Sequence, residues 1–462
     1  MNVIGDRKRY HFVGIGGSGM SGLAAVMLAG GANVSGSDLY ENEEIRRLRS
    51  AGARIHVGHD ARLLDGGLDG VIVSSAIDDE NVEVRAARER EVPVVKRLHA
   101  LASLLTDYRS IGIAGTHGKT TTTAMVTSIL VEMGRDPSYL VGAHCPGLGG
   151  NSHLGGGELF ITEVDESDRL FLSLHPSISV LTNVGRDHLN TYRTLAAIKE
   201  SFAQYLCQSE KVVLAIDDPH VREIAAHLPD PLTVGTSPDA ELRAAAIEHD
   251  RFQTRFDLFH GQERVGPVFL PTPGDHNVQN ALCAIGAAYL AAVDLPDAAL
   301  ALAHFRLPER RFQLLEENGV TVVDDYAHLP EQIQANLKAI RDGWEKRRIV
   351  AIFQPHRYTR TQAIGPEFGA AFREADTVVV TSIYPACERP IPGVSSRAIV
   401  EAIASSTEAD LHFIERKEEV VSFLEGYVEP GDFIISFGAG DIWTVTEELS
   451  CFLKHGRFCA TA

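Results

Sequence analysis

Short apolar runs alternate along the chain with longer stretches whose apolar residues recur at helical spacing, and the junctions are glycine-rich or polar. Residues 10–13 form one such run, followed by Leu23, Val26 and Met27 on a helical period. Strands are predicted at 33–37, 71–74 and 94–96, with helices at 43–50 and 80–91 between them. The run 111–114 precedes a helix carrying Met125, Val126, Ile129, Leu130 and Met133. Further strands are predicted from Leu159 into an acidic stretch, at 178–182 and at 212–216. Polar–apolar alternation over 239–268 predicts strands at a sheet edge, and a strongly apolar helix covers 281–291. Beyond 307 the pattern predicts strands at 321–324, 349–353, 377–381 and 433–437, with helices from Glu331 and near Phe368. The alternation predicts an α/β chain of three domains: Rossmann-like at 1–107, P-loop ATPase-like on a mostly parallel sheet at 108–307, and Rossmann-like again at 308–462.

The junctions carry the chemistry. Gly115-Thr116-His117-Gly118-Lys119-Thr120-Thr121 stands between a buried strand and a helix. A glycine turn there aims backbone N–H groups at one point, where the helix N-terminus adds positive potential that suits phosphate. Lys119 would reach the β/γ-phosphates of ATP and the Thr120 hydroxyl would hold Mg²⁺. Ile113 occupies the place of the usual first glycine, so the loop is a shortened form. Upstream, Gly14, Gly16 and Gly19 satisfy G-x-G-x-x-G, with Asp38 at the end of the next strand placed for a ribose hydroxyl. That pattern supports a nucleotide diphosphate without naming the nucleotide. Glu163 and His188, each just past a strand, are candidate metal ligands; an acidic loop and a structural histidine are the ordinary alternatives. Asn277 and Asn280 share a helix face that could meet an adenine edge or cap the helix. In the third domain Tyr326, His328, His356, Arg357 and Arg360 again follow strands and suit an anionic partner.

Composition narrows the class. At 462 residues the chain exceeds one ordinary core. Asp and Glu number 62 against 43 Lys and Arg, a net charge of −19, which argues against a nucleic-acid or anionic-membrane binder. No apolar run is long enough to span a membrane, and no secretory leader pattern opens the chain. The six cysteines are scattered without a C-x-x-C pair, so neither a disulfide frame nor a zinc site is expected, and a cytoplasmic setting is.

Taken in order, FVGIGGSGMSG, GTHGKTTT, EVDESD, TNxxxDHLNTY, GDHNxxN, RRF, DDYAHLPE, FQPHRYTRT, YPAxExPIPG and FGAGDI resemble the Mur ligase family of peptidoglycan synthesis over nearly the whole chain. The pairing of FQPHRYTRT with GIGGSGMSG is most similar to its alanine-adding branch. The resemblance implies an ATP- and Mg²⁺-dependent amide ligase acting on UDP-N-acetylmuramate and L-alanine through an acyl phosphate. It assigns Gly14, Gly16, Gly17, Ser18, Gly19, Met20, Ser37 and Asp38 to UDP. It assigns Gly115 to Thr121, Asn277, Asn280, Arg310 and Arg311 to ATP, and Thr120, Glu163 and His188 to metal. Lys119, His188, His328, Arg357 and Arg360 would be catalytic, with Tyr326 and His356 also near the amino acid. Closure of the domains on ligand binding follows as an expectation.

The chain departs from the family pattern in places. Ala327 and Leu329 alter the segment Tyr326–Pro330, usually Tyr-Gly-His-His-Pro in this branch. Gly185 and Asn190 stand where acids are usual, and Cys387 replaces a glycine. Lys199 lies at a spacing reminiscent of a carbamylated lysine in sister ligases. The alternatives are a same-fold ligase for L-serine, glycine or a murein peptide, an NAD-dependent oxidoreductase, and a silent UDP-sugar and ATP binder. Oligomeric state is not legible.

Overall fold

The computed structural model describes residues 8–455 apart from 65, 318, 345 and 387, and leaves the side chains of Leu189, Asn190 and His455 undescribed. The altered positions Asn190 and Cys387 are thus outside it. Two compact units emerge. One comprises residues up to 247 with 256–269 and 278–306; the other comprises 248–255, 270–277 and 307 onward.

The first unit holds one whole sheet and most of a second. Strands β1 (Arg9–Val13), β2 (Asn33–Asp38), β3 (Arg54–Val57), β4 (Gly70–Val73) and β5 (Val94–Lys96) pair in parallel in the order β3-β2-β1-β4-β5. This is the doubly wound order, whose ligand crevice lies where the winding reverses. Side-chain alternation explains its two cores. Tyr10, Phe12 and Ile72 point to one face, while Val13, Val71 and Val73 point to the other against Val84 and Ala87.

The second sheet has ten strands: β6 (Arg109–Ala114), β7 (Ser138–Cys145), β8 (Gly150–His153), β9 (Leu159–Glu163), β10 (Ile178–Leu181), β11 (Lys211–Ala215), β12 (Leu232–Gly235), β13 (Leu242–Asp250), β14 (Gln253–His260) and β15 (Glu263–Leu270). Their order is β15-β14-β13-β12-β11-β10-β6-β9-β7-β8. The strand carrying the glycine loop, β6, is therefore interior, flanked in parallel by β10 and β9. The alternating stretch near 239–268 does lie at the edge, as three successive strands.

In the second unit, β16 (Gln313–Glu316), β17 (Thr321–Asp325), β18 (Ile349–Phe353), β19 (Thr377–Val380), β20 (Asp410–Phe413) and β21 (Phe433–Phe437) order as β16-β17-β21-β18-β19-β20, with only the β16–β17 pair antiparallel. The strands read as unbroken apolar runs because both faces are covered. Ile349, Ala351 and Phe353 enter one core, and Val350 and Ile352 the other. The helix expected near Phe368 is a 3₁₀ run, Gly365–Phe372; the α-helix precedes it at Tyr358–Ile364, inside the polar stretch that follows β18. Cys145, Cys207 and Cys283 are free thiols.

Candidate active site

Register sets the geometry of the phosphate loop. Ala114 pairs with Leu181 and Ile113 with Glu163, so the loop after β6, the acid ending β9 and the segment after β10 emerge at one level. Asn183 then ties them together. Its carbonyl accepts from Thr116 N–H, and its side chain accepts from His117 N–H at 2.8 Å. Thr182 donates to the His117 carbonyl at 2.6 Å, and the Gly185 N–H donates to the Thr116 hydroxyl at 2.7 Å. Gly115 and Gly118 have φ of +133° and +80°. A Cβ at either would lie 2.1 Å from the Thr182 hydroxyl or 2.3 Å from Asn280 Oδ1. The loop is a cradle only glycine can line, opening onto the helix Lys119–Glu132.

Lys119 lies inside this cradle with 18% of its side chain exposed. Its ammonium donates to the carbonyls of Gly115 and Thr116 and to Glu166 Oε1 at 3.0 Å. Burial works to lower its pKa, but the Glu166 charge and hydrogen bond outweigh that and raise it. Glu166 is 4% exposed and its Oε2 has no hydrogen-bond partner among the described residues. Burial pushes this carboxyl above its usual range, against the pull of Lys119. His188, held at φ +52°, places Nε2 3.9 Å from Glu166 and 3.6 Å from Asp187. Glu163 accepts from the Gly142 N–H through Oε1. Burial depresses the His117 pKa to about 4, with Lys119 adding to the effect. Carboxylate, hydroxyl and imidazole are the donor types a divalent cation takes, and Glu163, Thr120 and His188 supply them from three neighbouring strand ends, although their ligand atoms are not gathered as a ready cation cluster among the described residues. Asn280 accepts from the Thr122 hydroxyl at 3.2 Å, and Asn277 donates to the Pro273 carbonyl at 2.8 Å; both are buried. Lys199 is ion-paired with Glu223 at 2.5 Å.

The same logic shapes the first glycine loop. Val13 pairs with Ser37 and Val73, and the N–H groups of Gly14 and Ile15 both donate to the Ser37 carbonyl. Asp38 accepts from the Gly16 N–H at 2.8 Å, bracing the loop directly. Gly17 and Ser18 are exposed at the start of the helix Ser18–Ala29. Met20 is core, at 2% exposure, and the Ser37 hydroxyl turns inward to buried Glu83 at 2.6 Å. Arg97, unmarked in the sequence, lies 2.9 Å from where a Gly19 Cβ would be and pairs with Asp165 at 3.0 Å.

In the second unit Asp325, Phe437, Phe353 and Val380 are in register, so four strands deliver their polar ends to one level. Arg310 and Arg311 lie over the Tyr326 ring at 5.2 and 4.7 Å. Tyr326 packs edge-on to His328, His328 lies 5.9 Å from His356, and His356 stacks on Tyr384 at 8°. Arg360 Nη1 meets His356 Nδ1 at 3.0 Å. Arg357 is held at φ +71°, its N–H donating to the Tyr384 carbonyl. Asp325 anchors the cluster by accepting from Phe312 and Ala327 N–H, each at 2.7 Å, and burial raises its pKa to about 6. Ala327 and Leu329 are 3% exposed and belong to the core, so the altered segment presents Tyr326 and His328. Asp325, Asn183 and Glu166 escaped sequence reasoning. Each stands among other polar residues with nothing local to single it out.

Profiles of known families match the chain in three blocks: Mur ligase family, catalytic domain, at 9–109; Mur ligase middle domain at 113–288; and Mur ligase, glutamate ligase domain, at 310–440. A UDP-N-acetylmuramate--L-alanine ligase of Trichlorobacter lovleyi is 42% identical over 97% of this chain and 99% of its own. That of Pelotomaculum thermopropionicum is 41% identical over 98% and 99%. Among solved structures, a UDP-N-acetylmuramate-alanine ligase of Thermotoga maritima superposes with a TM-score of 0.84 at 30% identity, covering 97% of this chain and all of its own.

Proposed function

The chain belongs to the Mur ligase family, and on that footing we propose that it joins L-alanine to the lactyl carboxylate of UDP-N-acetylmuramate, consuming ATP, in peptidoglycan synthesis. The carrying observation is the phosphate cradle on β6, with Lys119 inside it and Glu163, Glu166 and His188 delivered beside it.

The carboxylate attacks the γ-phosphorus of ATP, giving an acyl phosphate and ADP; the alanine amine then attacks the acyl carbon and phosphate leaves. Two anions must approach, so Lys119 and arginines offset repulsion and the charge spreading over the transferred phosphoryl group. Mg²⁺ would neutralise the triphosphate, and Thr120, Glu163 and His188 are the residues to hold it. The exposed helix start at Gly17 and Ser18, with the braced loop Gly14–Gly19, suits the UDP diphosphate. Tyr326, His328, His356, Arg357 and Arg360 suit the amino acid and the acyl phosphate. The reading places the enzyme in the cytoplasm; among the described residues no helix is long and apolar enough to cross a membrane.

The test is phosphate release from ATP and Mg²⁺ with UDP-N-acetylmuramate, run with L-alanine, L-serine, glycine or no amino acid. Release that needs the sugar and peaks with L-alanine is expected. A peak with serine or glycine would move the acceptor and point to Ala327 and Leu329.

A further inference from the structure

The Lys119 ammonium has three protons and three acceptors: the Gly115 and Thr116 carbonyls and Glu166 Oε1. No donor is left to greet a phosphate, and Nζ lies 3.0 Å from both Glu166 oxygens. Glu166 is itself an uneasy partner. It is 4% exposed, its Oε2 has only the 3.0 Å ion-pair contact with Lys119 and no hydrogen bond among the described residues, and its place is held from the backbone, where its carbonyl accepts from Tyr192 OH at 2.6 Å. A buried carboxylate that meets one ammonium through both oxygens stays where it is because the lysine is there.

We propose that Glu166 is a positioning residue of the nucleotide site: an intramolecular anion that occupies Lys119 until a triphosphate takes its place, and so sets nucleotide affinity. This rests on the phosphate-loop reading above. Binding ATP must break the Lys119–Glu166 contact and bring phosphate charge towards the carboxylate, and both costs fall on affinity. A cation arriving with the nucleotide relieves the second cost, so the penalty is greatest without metal.

The experiment is ATP binding by titration calorimetry, with EDTA and then with Mg²⁺, for the full chain, for Glu166→Gln, Glu166→Asp and Lys119→Ala, and for Glu166→Gln combined with Lys119→Ala. Thermal melts check folding, and the aspartate variant keeps the charge if glutamine fails to fold. Glu166→Gln should bind metal-free ATP about tenfold more tightly than the parent, with a smaller gain in Mg²⁺. Glu166→Asp should stay near the parent. The gain should vanish when Glu166→Gln is combined with Lys119→Ala, which shows that it acts through the lysine. Unchanged or weaker metal-free binding overturns the proposal. So does a loss confined to Mg²⁺, which would make Glu166 a metal ligand, or a gain that survives without Lys119. Equal ATP binding by the parent and Lys119→Ala would instead take down the phosphate-loop reading itself.

Discussion

Single residues here differ in how much of their role is written locally. Lys119 is legible because Gly-Lys-Thr after a strand has few other uses, and the structure places it in a loop with glycines at Gly115 and Gly118, where it donates to the Gly115 and Thr116 carbonyls. Lys119→Ala should abolish turnover with the fold retained; normal phosphate release in that variant would remove the loop from the mechanism. Ser37 and Met20 show the opposite case. Both belong to motifs that resemble a nucleotide-sugar site, yet Ser37 spends its hydroxyl on Glu83 and Met20 is buried in the core. A motif marks a neighbourhood; which way each side chain turns depends on groups far away in sequence, here Glu83.

Elements position these residues through strand ends and strained turns. The phosphate loop depends on Gly118, whose φ of +80° starts the helix Lys119–Glu132. Gly118→Ala adds a left-handed penalty of roughly 1–2 kcal/mol and drives a methyl into Asn280 Oδ1. A lower melting temperature and lost ATP binding are expected, and calorimetry of the purified variant checks both. The helix Tyr358–Ile364 was hidden in the sequence because its first turn is the polar motif itself, without an apolar stripe. That helix begins at Arg357, held at φ +71° against the Tyr384 carbonyl. Arg357→Ala should lower the rate by about 10³-fold or more with UDP-sugar affinity little changed; loss of sugar binding alone, by isothermal titration, would put this arginine in another site.

Across the whole molecule, half-buried histidines with depressed pKa values tie stability to pH. Burial holds His276 near pKa 4, with Asp275 opposing and His249 assisting, and His117 is likewise near 4. The unfolded chain takes up a proton at each near the ordinary 6.5, whereas the folded chain does not until about 4. The unfolded state therefore binds more protons in between, and stability falls as pH drops through that window. Melting curves from pH 7.5 to 4.5 should show the fall, and His276→Gln should flatten it by a few degrees, roughly 2–4 °C per kcal/mol recovered. A slope unchanged in that variant would assign the acid sensitivity elsewhere.

Alternation of apolar runs with helical periods was enough to predict α/β sheets of mostly parallel strands with polar residues at the strand ends, because parallel strands covered on both faces must be apolar throughout and must shed polar residues at their ends. The two glycine loops were equally legible, since φ values such as +80° at Gly118 are cheap only for glycine. Strand order was not. That β6 lies between β10 and β9, and β21 between β17 and β18, is decided by pairing between segments distant in sequence. The roles of Glu166, Asn183 and Asp325 follow from that order, because each acts on a loop it meets only once the sheets have formed.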